Sequence, residues 1–357
     1  MLSQSTKTVG KKQKILVGLS GGVDSAVSAY LLKKEGYDVA CGFMINYLDE
    51  ENPSLCPTLI DLEEAKKVAE YLELPLYTFD YREEYEKRIV DYIYQEYSAG
   101  RTPNPDVFCN NLVKFDLFLE EATSLGYDMI ATGHYARIMD KKLHKGVDPT
   151  KDQSYFLSRL SEEQISKALF PIGNLLKSEV RLIAKEAGLP NAERKDSQGL
   201  CFIGKVSMKD FLEKRIPKKP GKILDTHGKI IGEHEGAFSY TIGQRKGIKV
   251  GGGPALFVVG KNINENTITV GTEGDLNLYS KNCILSGWVG TNITSDRICS
   301  AKIRYRQEDQ ACTIQNTGSS GDYKELHFNS PQRAITPGQI AVLYDDSLVI
   351  GSGIIIG

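Results

Sequence analysis

Apolar and polar positions follow a strand-then-helix rhythm from the start of the chain. "KILVGLS" (14–20) has the continuous apolar pattern of a buried strand, and residues 23–34 have helical spacing. "DVACGFMINY" (38–47) and "LYTFD" (76–80) predict two more strands, with an amphipathic helix in "DLEEAKKVAEYLEL" (61–74) between them. Strands that alternate with helices form parallel βαβ units. The pattern therefore predicts an α/β domain with a parallel sheet.

The same rhythm continues to about residue 210. A helix is predicted from Glu83 to Tyr97, and the two prolines of "RTPNPDVFCN" (101–110) predict a loop after it. "KFDLFLEEATSLG" (114–126) predicts a helix, and "YDMIATGHYA" (127–136) predicts a strand that enters a polar turn. From residue 153 to residue 188 the pattern is mainly helical.

The pattern changes after about Phe211 to short alternating strands separated by Gly and Asn turns. The final "QIAVLYDDSLVIGSGIII" (339–356) predicts a hairpin around residues 345–347. We therefore divide the chain into a disordered tail, an α/β catalytic domain and two small β-rich domains, at residues 1–13, 14–210, 211–276 and 277–357.

Composition narrows the class of protein without changing this picture. The 357 residues are enough for two or three domains, and no apolar run approaches the ~18 residues of a membrane span. The polar start lacks the apolar segment of a secretory signal and the Arg of a transit peptide. The net charge of −2 means that any nucleic acid must bind to local basic patches. Seven scattered cysteines without a C-x-x-C pair argue against a disulfide framework or structural zinc and predict a cytoplasmic location.

The stretch "GLSGGVDSAV" (18–27) lies where the first strand passes into the first helix. Backbone N–H groups at such a junction stabilise anions, but no Lys follows the glycines as it does in an ordinary phosphate loop. The stretch also fits the G-x-S-x-G nucleophile elbow of a serine hydrolase, with Ser20 as the nucleophile. Against the elbow, the late His327 lies in the β-rich tail, and Asp24 would oppose the developing anion. A third interpretation is a turn that binds nothing.

The S-G-G-x-D-S of this stretch resembles the PP-loop of the N-type ATP pyrophosphatases, which split ATP into AMP and pyrophosphate. That resemblance alone leaves argininosuccinate synthetase, GMP synthetase, a lysidine-forming enzyme and a tRNA thiolase as candidates. Six further motifs narrow the choice, and they occur in the order "GRTPNPDVFCN", "ATGHYAR", "KDQSYFL", "KDSQGLCFIG", "YTIGQRKG" and "RYRQ". From about Lys14 to the C-terminus the chain resembles the tRNA-specific 2-thiouridylases, the MnmA family.

The resemblance implies a Rossmann-like PP-loop domain followed by two β-rich domains, the last of them a β-barrel that contacts tRNA. It also implies an ATP site in which the loop holds the phosphates and two further residues recognise adenine. Mg²⁺ is expected with ATP, although the sequence shows no protein cage for it. The implied ATP-site residues are Gly18, Leu19, Ser20, Gly21, Gly22, Val23, Asp24, Ser25, Met44 and Gly133.

Cys109 and Cys201 stand in polar, turn-rich motifs that are typical of sites rather than cores. Exchange of a carbonyl oxygen for sulfur needs an activated oxygen, a sulfur nucleophile such as a persulfide, and a second thiol within bridging distance. The resemblance assigns the persulfide to Cys201, the second thiol to Cys109 and general acid/base catalysis to Asp106. Four other cysteines are interpreted as packing residues, and Cys56 is placed in an exposed loop without a role; the four are Cys41, Cys283, Cys299 and Cys312.

The implied activity is the ATP-dependent 2-thiolation of the wobble uridine in tRNA, with a separate protein as sulfur donor. Two alternatives stay open: a synthetase acting on a small molecule, which would not need Cys109 or Cys201, and the serine hydrolase. By resemblance, the residues that contact tRNA are Asn104, Pro105, Asp106, His134, Lys151, Asp152, Gln153, Arg304, Tyr305 and Gln339.

Overall fold

A computed structural model describes residues 12–48, 56–195, 207–251, 253–293, 297–317 and 323–357. Most of the predicted tail, and Cys201 with its motif, lie outside the described residues. The strands are β1 (Lys14–Gly18), β2 (Asp38–Ile45), β3 (Leu76–Asp80), β4 (Met129–Thr132), β5 (Ala136–Met139), β6 (Lys142–Lys145), β7 (Ala168–Leu169), β8 (Gly221–Leu224), β9 (Ile230–His234), β10 (Phe257–Asn262), β11 (Thr267–Gly271), β12 (Tyr279–Gly290), β13 (Arg297–Lys302), β14 (Gln310–Thr317), β15 (Tyr323–Arg333), β16 (Ile340–Asp345) and β17 (Leu348–Ile355).

The described helices are mostly short and belong mainly to the first half of the chain. Two stretches, Glu86–Val90 and Asn110–Leu117, are π-helical, and Ala237–Ser239 and Leu276–Leu278 are 3₁₀ turns. Within the part of the chain that the structure describes, no helix is both long and apolar enough to cross a bilayer. The α-helices are α1 (Val23–Lys34), α2 (Pro57–Tyr71), α3 (Arg82–Tyr85), α4 (Asp91–Ser98), α5 (Pro105–Cys109), α6 (Phe118–Ser124), α7 (Ser154–Leu157), α8 (Glu162–Ser166), α9 (Lys177–Glu186) and α10 (Met208–Glu213).

The N-terminal sheet has five parallel strands in the order β3-β2-β1-β4-β7. Its central strand β1 is apolar on both faces, and Ile15, Leu16 and Val17 are completely buried. Leu16 packs into the apolar cluster on one face, whereas Ile15 and Val17 pack into the cluster on the other. Full burial of such a side chain is worth roughly 1.5–3 kcal/mol. The predicted parallel, Rossmann-like sheet is confirmed.

The loop predicted over "RTPNPDVFCN" is wrong in its second half. Residues Pro105–Cys109 form α5, and the helical path continues through Asn110–Leu117 into α6. Proline is tolerated at the first helical position, because its fixed φ suits a helix and its missing N–H would have had no partner there. Asp106 therefore stands in the first turn of a helix rather than in a loop.

Both β-rich regions are present after the α/β region. The central one is a four-stranded sheet in the order β10-β11-β8-β9. In the C-terminal one, six antiparallel strands run in the order β12-β15-β14-β13-β16-β17, and β12 also pairs with β17. That last pairing closes the sheet, so the predicted β-barrel is confirmed, as is the β16–β17 hairpin.

A hairpin from the α/β region extends the barrel sheet. Strands β5 and β6 pair with each other, and His144 of β6 pairs with Leu348 of β17. The sequence pattern did not reveal these two strands, because each has only four residues and their pairing with the barrel is distant in sequence. The hairpin connects the α/β region, which carries the glycine loop, to the barrel.

Candidate active site

The glycine loop lies at the carboxyl ends of β1 and β4, where the strand order reverses. Ligands of open α/β sheets bind at such a crevice. Gly18 of β1 is paired with Thr132 of β4, and Gly133 follows directly. A Cβ on Gly133 would lie 2.6 Å from the backbone nitrogen of Ser25, so only glycine fits. Two segments predicted to bind ATP therefore touch.

The loop residues are held mainly by one another. The Ser25 hydroxyl accepts a hydrogen bond from the Ser20 backbone N–H at 3.1 Å and donates to the Gly22 carbonyl at 3.0 Å. The side chain of Ser20 lies 3.2 Å from Ser25 Oγ. Ser20 is thus hydrogen-bonded to a serine and not to a histidine, which argues against the serine hydrolase. No side chain caps the N-terminus of α1.

Asp24 forms a charge cluster beside the loop. Lys177 Nζ donates to both carboxylate oxygens of Asp24, at 2.8 Å each. The hydroxyl of Tyr135 donates to Oδ1 of the same carboxylate at 2.8 Å. Lys177 belongs to none of the motifs that the sequence displays. Its position at the start of α9 was a usable signal of a further role. The helix dipole disfavours a positive charge at a helix N-terminus, so a lysine there suggests that it pairs with an anion elsewhere.

Met44 lies near the same loop, on β2 next to β1. Its terminal methyl carbon would be 3.4 Å from a Cβ placed on Gly18. Met44 is only partly buried, which leaves part of its side chain accessible at the end of the sheet. The geometry brings Met44, the glycine loop and Gly133 together, as an adenine and phosphate site requires.

Asp106 and Cys109 belong to the same short helix α5. Residues three apart lie on one helix face, so the carboxyl group and the thiol are neighbours. Burial raises the pKa of Asp106, and the charge of Lys114 only partly opposes that shift. Cys109 is 3% exposed. Tyr155, whose hydroxyl donates to the Ile340 carbonyl at 2.7 Å, packs in the same apolar cluster as Val107 of α5.

His134 directly follows Gly133 and contacts the helical segment after α5. Its Nδ1 is 2.7 Å from the hydroxyl of Thr132, and its ring contacts Phe115 and Phe170. Burial keeps the pKa of His134 well below its usual value, and the positive charge of Lys114 lowers it further. His134 is therefore neutral at physiological pH. Lys114, which the sequence analysis did not identify, acts electrostatically on both Asp106 and His134.

Two predicted tRNA contacts of the barrel meet the region around α5. Gln339 Nε2 donates to the carbonyls of Thr102 and Pro103, at 2.8 and 3.1 Å, immediately before Asn104. The ring of Tyr305 packs on Phe156 of α7, with ring centroids 4.2 Å apart. The structure thus unites residues that are far apart in the sequence, 237 positions in the case of Gln339 and Thr102.

Arg304 lies in the cleft that separates the central sheet from the barrel, together with Gln339. Its Nη1 donates to the carbonyl of Arg333 at 2.9 Å. Burial lowers the pKa of Arg304, and the charge of Arg333 adds to that effect. Arg333 lines the same cleft, but its guanidinium is already bonded to the Glu273 carboxylate at 2.8 and 3.1 Å.

In the motif Lys151–Gln153, the side chains of Asp152 and Gln153 accept hydrogen bonds from the backbone of the protein itself. Asp152 is 8% exposed, and its carboxylate accepts hydrogen bonds from the N–H groups of Gly146 and Ser154, at 3.0 and 3.1 Å. Gln153 Oε1 accepts from the N–H of Tyr135 at 3.0 Å. These two side chains stabilise the segment around Tyr135, and direct RNA contact by Lys151, Asp152 and Gln153 stays a prediction.

The other cysteines are mostly as expected. The prediction that Cys56 lies in an exposed loop is wrong, because Cys56 is 1% exposed and directly precedes α2. Burial raises the pKa of both Cys41 and Cys283 to about 12, which makes both thiols unreactive. The four cysteines interpreted as packing residues, Cys41, Cys283, Cys299 and Cys312, are all buried.

Comparison with known proteins now decides the family. A protein from Paraburkholderia phytofirmans named "tRNA-specific 2-thiouridylase MnmA" is 46% identical over 359 residues, which cover 96% of this chain and 94% of that protein. The chain belongs to the tRNA-specific 2-thiouridylase family. Another member, from Geobacillus kaustophilus, is also 46% identical and is covered over 96% of its length. The family is thus shown along nearly the whole chain.

Family models match three consecutive regions of this 2-thiouridylase family member. Residues 13–205 match a "tRNA methyl transferase HUP domain", and residues 209–272 match a "tRNA methyl transferase PRC-barrel domain". Residues 283–355 match an "Aminomethyltransferase beta-barrel domain". These descriptions name methyl transfer, whereas the full-length relatives are named for thiolation.

Proposed function

We propose that this chain exchanges the 2-oxygen of the wobble uridine in tRNA for sulfur, with cleavage of ATP to AMP and pyrophosphate. The proposal rests mainly on the contact between the glycine loop with Asp24 and the region of α5 that carries Asp106 and Cys109. Tyr135 donates to Asp24 at the glycine loop, and its neighbour His134 packs on Phe115, in the helical segment that follows α5. A nucleotide site and a site with an acid and a thiol therefore adjoin.

The loop and Asp24 suit the triphosphate of ATP. Backbone N–H groups at the uncapped start of α1 favour an anion, and Gly133 leaves room beside them. Lys177 supplies the positive charge that the loop sequence lacks. Adenylation of the uridine 2-oxygen then makes AMP the leaving group, and pyrophosphate departs from the loop.

Mg²⁺ would be held here mainly by phosphate oxygens and water, because both oxygens of Asp24, the carboxylate of the loop, already accept hydrogen bonds from Lys177. Among the residues that the structure describes, no group of three or more Asp, Glu, His or Cys side chains could form a protein cage. Mg²⁺ commonly keeps several waters and uses one or two carboxylates with substrate phosphates. Bound there, it would neutralise charge on the phosphates.

The sulfur step uses the two proposed cysteines. The terminal sulfur of a persulfide on Cys201 forms a bond to C2 of the uridine, and the bond from C2 to the adenylated oxygen breaks with its electron pair on AMP. The thiolate of Cys109 then attacks Sγ of Cys201, so that a Cys109–Cys201 disulfide forms while the bond from Cys201 to the transferred sulfur breaks and leaves its electron pair on that sulfur, now on C2. An added thiol reductant returns the two cysteines to thiols for the next turnover. Asp106 holds or moves the proton, because burial raises its pKa toward the range useful for acid/base catalysis. The persulfide comes from a separate donor protein, and a cytoplasmic location stays a prediction.

The experiment is thiolation of bulk tRNA by the full chain, with ATP and a persulfide-generating cysteine desulfurase. We expect 2-thiouridine in the nucleoside digest, measured by mass spectrometry, and none when ATP is omitted. A parallel reaction with a methyl donor in place of the sulfur donor is the matched control. Methylated uridine there, with no thiolated product in the first reaction, would contradict the proposal.

A further inference from the structure

The carbonyl of Gly21, inside the glycine loop, is bound by two side chains from a distant segment. Asn191 Nδ2 donates to this oxygen at 2.8 Å, and Arg194 Nη1 donates to it at 2.9 Å. Asn191 is 2% exposed. The other guanidinium nitrogen of Arg194 bonds to the carboxylate of Asp61 on α2. Two side chains that the function above does not use therefore hold one peptide of the loop, and Asp61 in turn holds Arg194.

These contacts fix the direction of one backbone donor. The carbonyl of Gly21 and the N–H of Gly22 belong to the same planar trans peptide, so they point in opposite directions. A carbonyl that two donors hold on the outer side of the loop turns the Gly22 N–H toward the inner side. Release of the carbonyl would allow the peptide to rotate and the donor to turn away.

The backbone at Gly21 has no room for a side chain that could itself fix this peptide. Its φ is +75°, which favours glycine, and a Cβ there would lie 2.4 Å from the Asp61 carbonyl oxygen and 2.9 Å from Arg194 Nη1. The space around Gly21 is thus filled by the same residues that hold its carbonyl. Nothing in the loop itself performs this task, since the Ser25 hydroxyl is bonded to the Gly22 carbonyl instead.

We infer that Asn191 and Arg194, with Asp61 behind Arg194, are positioning residues that orient the Gly22 N–H toward the pyrophosphate portion of ATP. The inference rests on the proposed function, because it takes the loop as the pyrophosphate site. It adds that donors from outside the loop preorganise it before the ligand arrives. A preorganised donor stabilises a phosphate charge more than one that must first rotate.

The test compares inorganic pyrophosphate with AMP as ligands of the full chain, by titration calorimetry with Mg²⁺ present. We expect the double variant Asn191→Ala/Arg194→Ala to bind pyrophosphate and ATP at least tenfold more weakly, and AMP within twofold of wild type. A merely structural role would weaken AMP and pyrophosphate together. Arg194→Lys keeps one donor and is expected to fall between wild type and Arg194→Ala.

The matched control is Arg297→Ala, which removes an arginine that pairs with Asp345 in the barrel at 2.7 Å. Should the double variant fail to fold, Arg194→Ala alone carries the test, because Arg194 is partly exposed. Unchanged pyrophosphate affinity, an equal loss for AMP, or no pyrophosphate binding by wild type would overturn the inference. A wild-type protein that does not thiolate tRNA, together with the expected selective loss of pyrophosphate affinity in the double variant, would refute only the proposed function.

Discussion

Cys201→Ser is expected to abolish tRNA thiolation while it preserves the ATP step. A serine cannot carry a persulfide, so the sulfur nucleophile is lost and thiolated product should fall by at least ~10³-fold. Activation of the uridine by ATP needs no thiol, and tRNA-dependent release of AMP should stay within about threefold of wild type. Nucleoside mass spectrometry and AMP chromatography on the same reaction measure both outcomes.

The control for this experiment is Cys283→Ala, which removes a buried barrel thiol whose pKa burial raises to about 12. That variant should thiolate tRNA like wild type, provided that its melting temperature shows it is folded. Full thiolation by Cys201→Ser would remove the sulfur-carrier role from Cys201. Equal loss of AMP release and thiolation would also speak against it, since it would indicate a general loss of structure.

Asp106→Asn is expected to lower thiolation by about 10²- to 10⁴-fold, the range that general acid/base catalysis contributes. The same variant should be more stable than wild type at neutral pH. Burial raises the pKa of Asp106 above its usual 3.8, so the folded state binds the proton more tightly than the unfolded state. Such a group favours folding at acid pH, and this contribution is lost as the pH rises through the folded-state pKa.

The stability gain of Asp106→Asn should therefore be present at pH 8 and should disappear as the pH is lowered toward the ordinary range of an aspartate. Thermal denaturation of both proteins across this range measures it. Asp116→Asn is the matched control, because Asp116 is half exposed on the adjoining π-helical segment and pairs with Arg88. It should keep its activity within twofold. A stability gain without loss of thiolation would make Asp106 a merely buried carboxyl group.

Local patterns predicted the elements that carry the nucleotide loop. The helix at residues 23–34 and the strand at residues 76–80 have the predicted bounds, because glycine, proline or charged residues mark the ends of each element. The proline rule failed at Pro105, which begins a helix instead of preventing one. A proline therefore marks the end of a helix or its beginning, and it begins one when the residue before it acts as the N-cap, as Asn104 does here.

The site was predicted less completely than the fold. The glycine loop, Gly133 and Asp106 stand in motifs that the sequence displays. Lys177 and Asn191 contact the loop from 153 and 170 residues away, and the sequence does not show which residue either of them contacts. Their roles follow from the packing of α9 and the segment after it against α1. Site residues that lie within one motif can be predicted from the sequence. Site residues that come together from distant segments can be identified only once the fold is known.

The most direct test of the central claim is AMP release from ATP by the full chain, with and without bulk tRNA and before any sulfur donor is added. An enzyme that activates the uridine should form AMP only when tRNA is present. AMP that forms equally without tRNA would contradict the account in favour of a small-molecule synthetase. No AMP under either condition would contradict it as well and would return attention to Ser20.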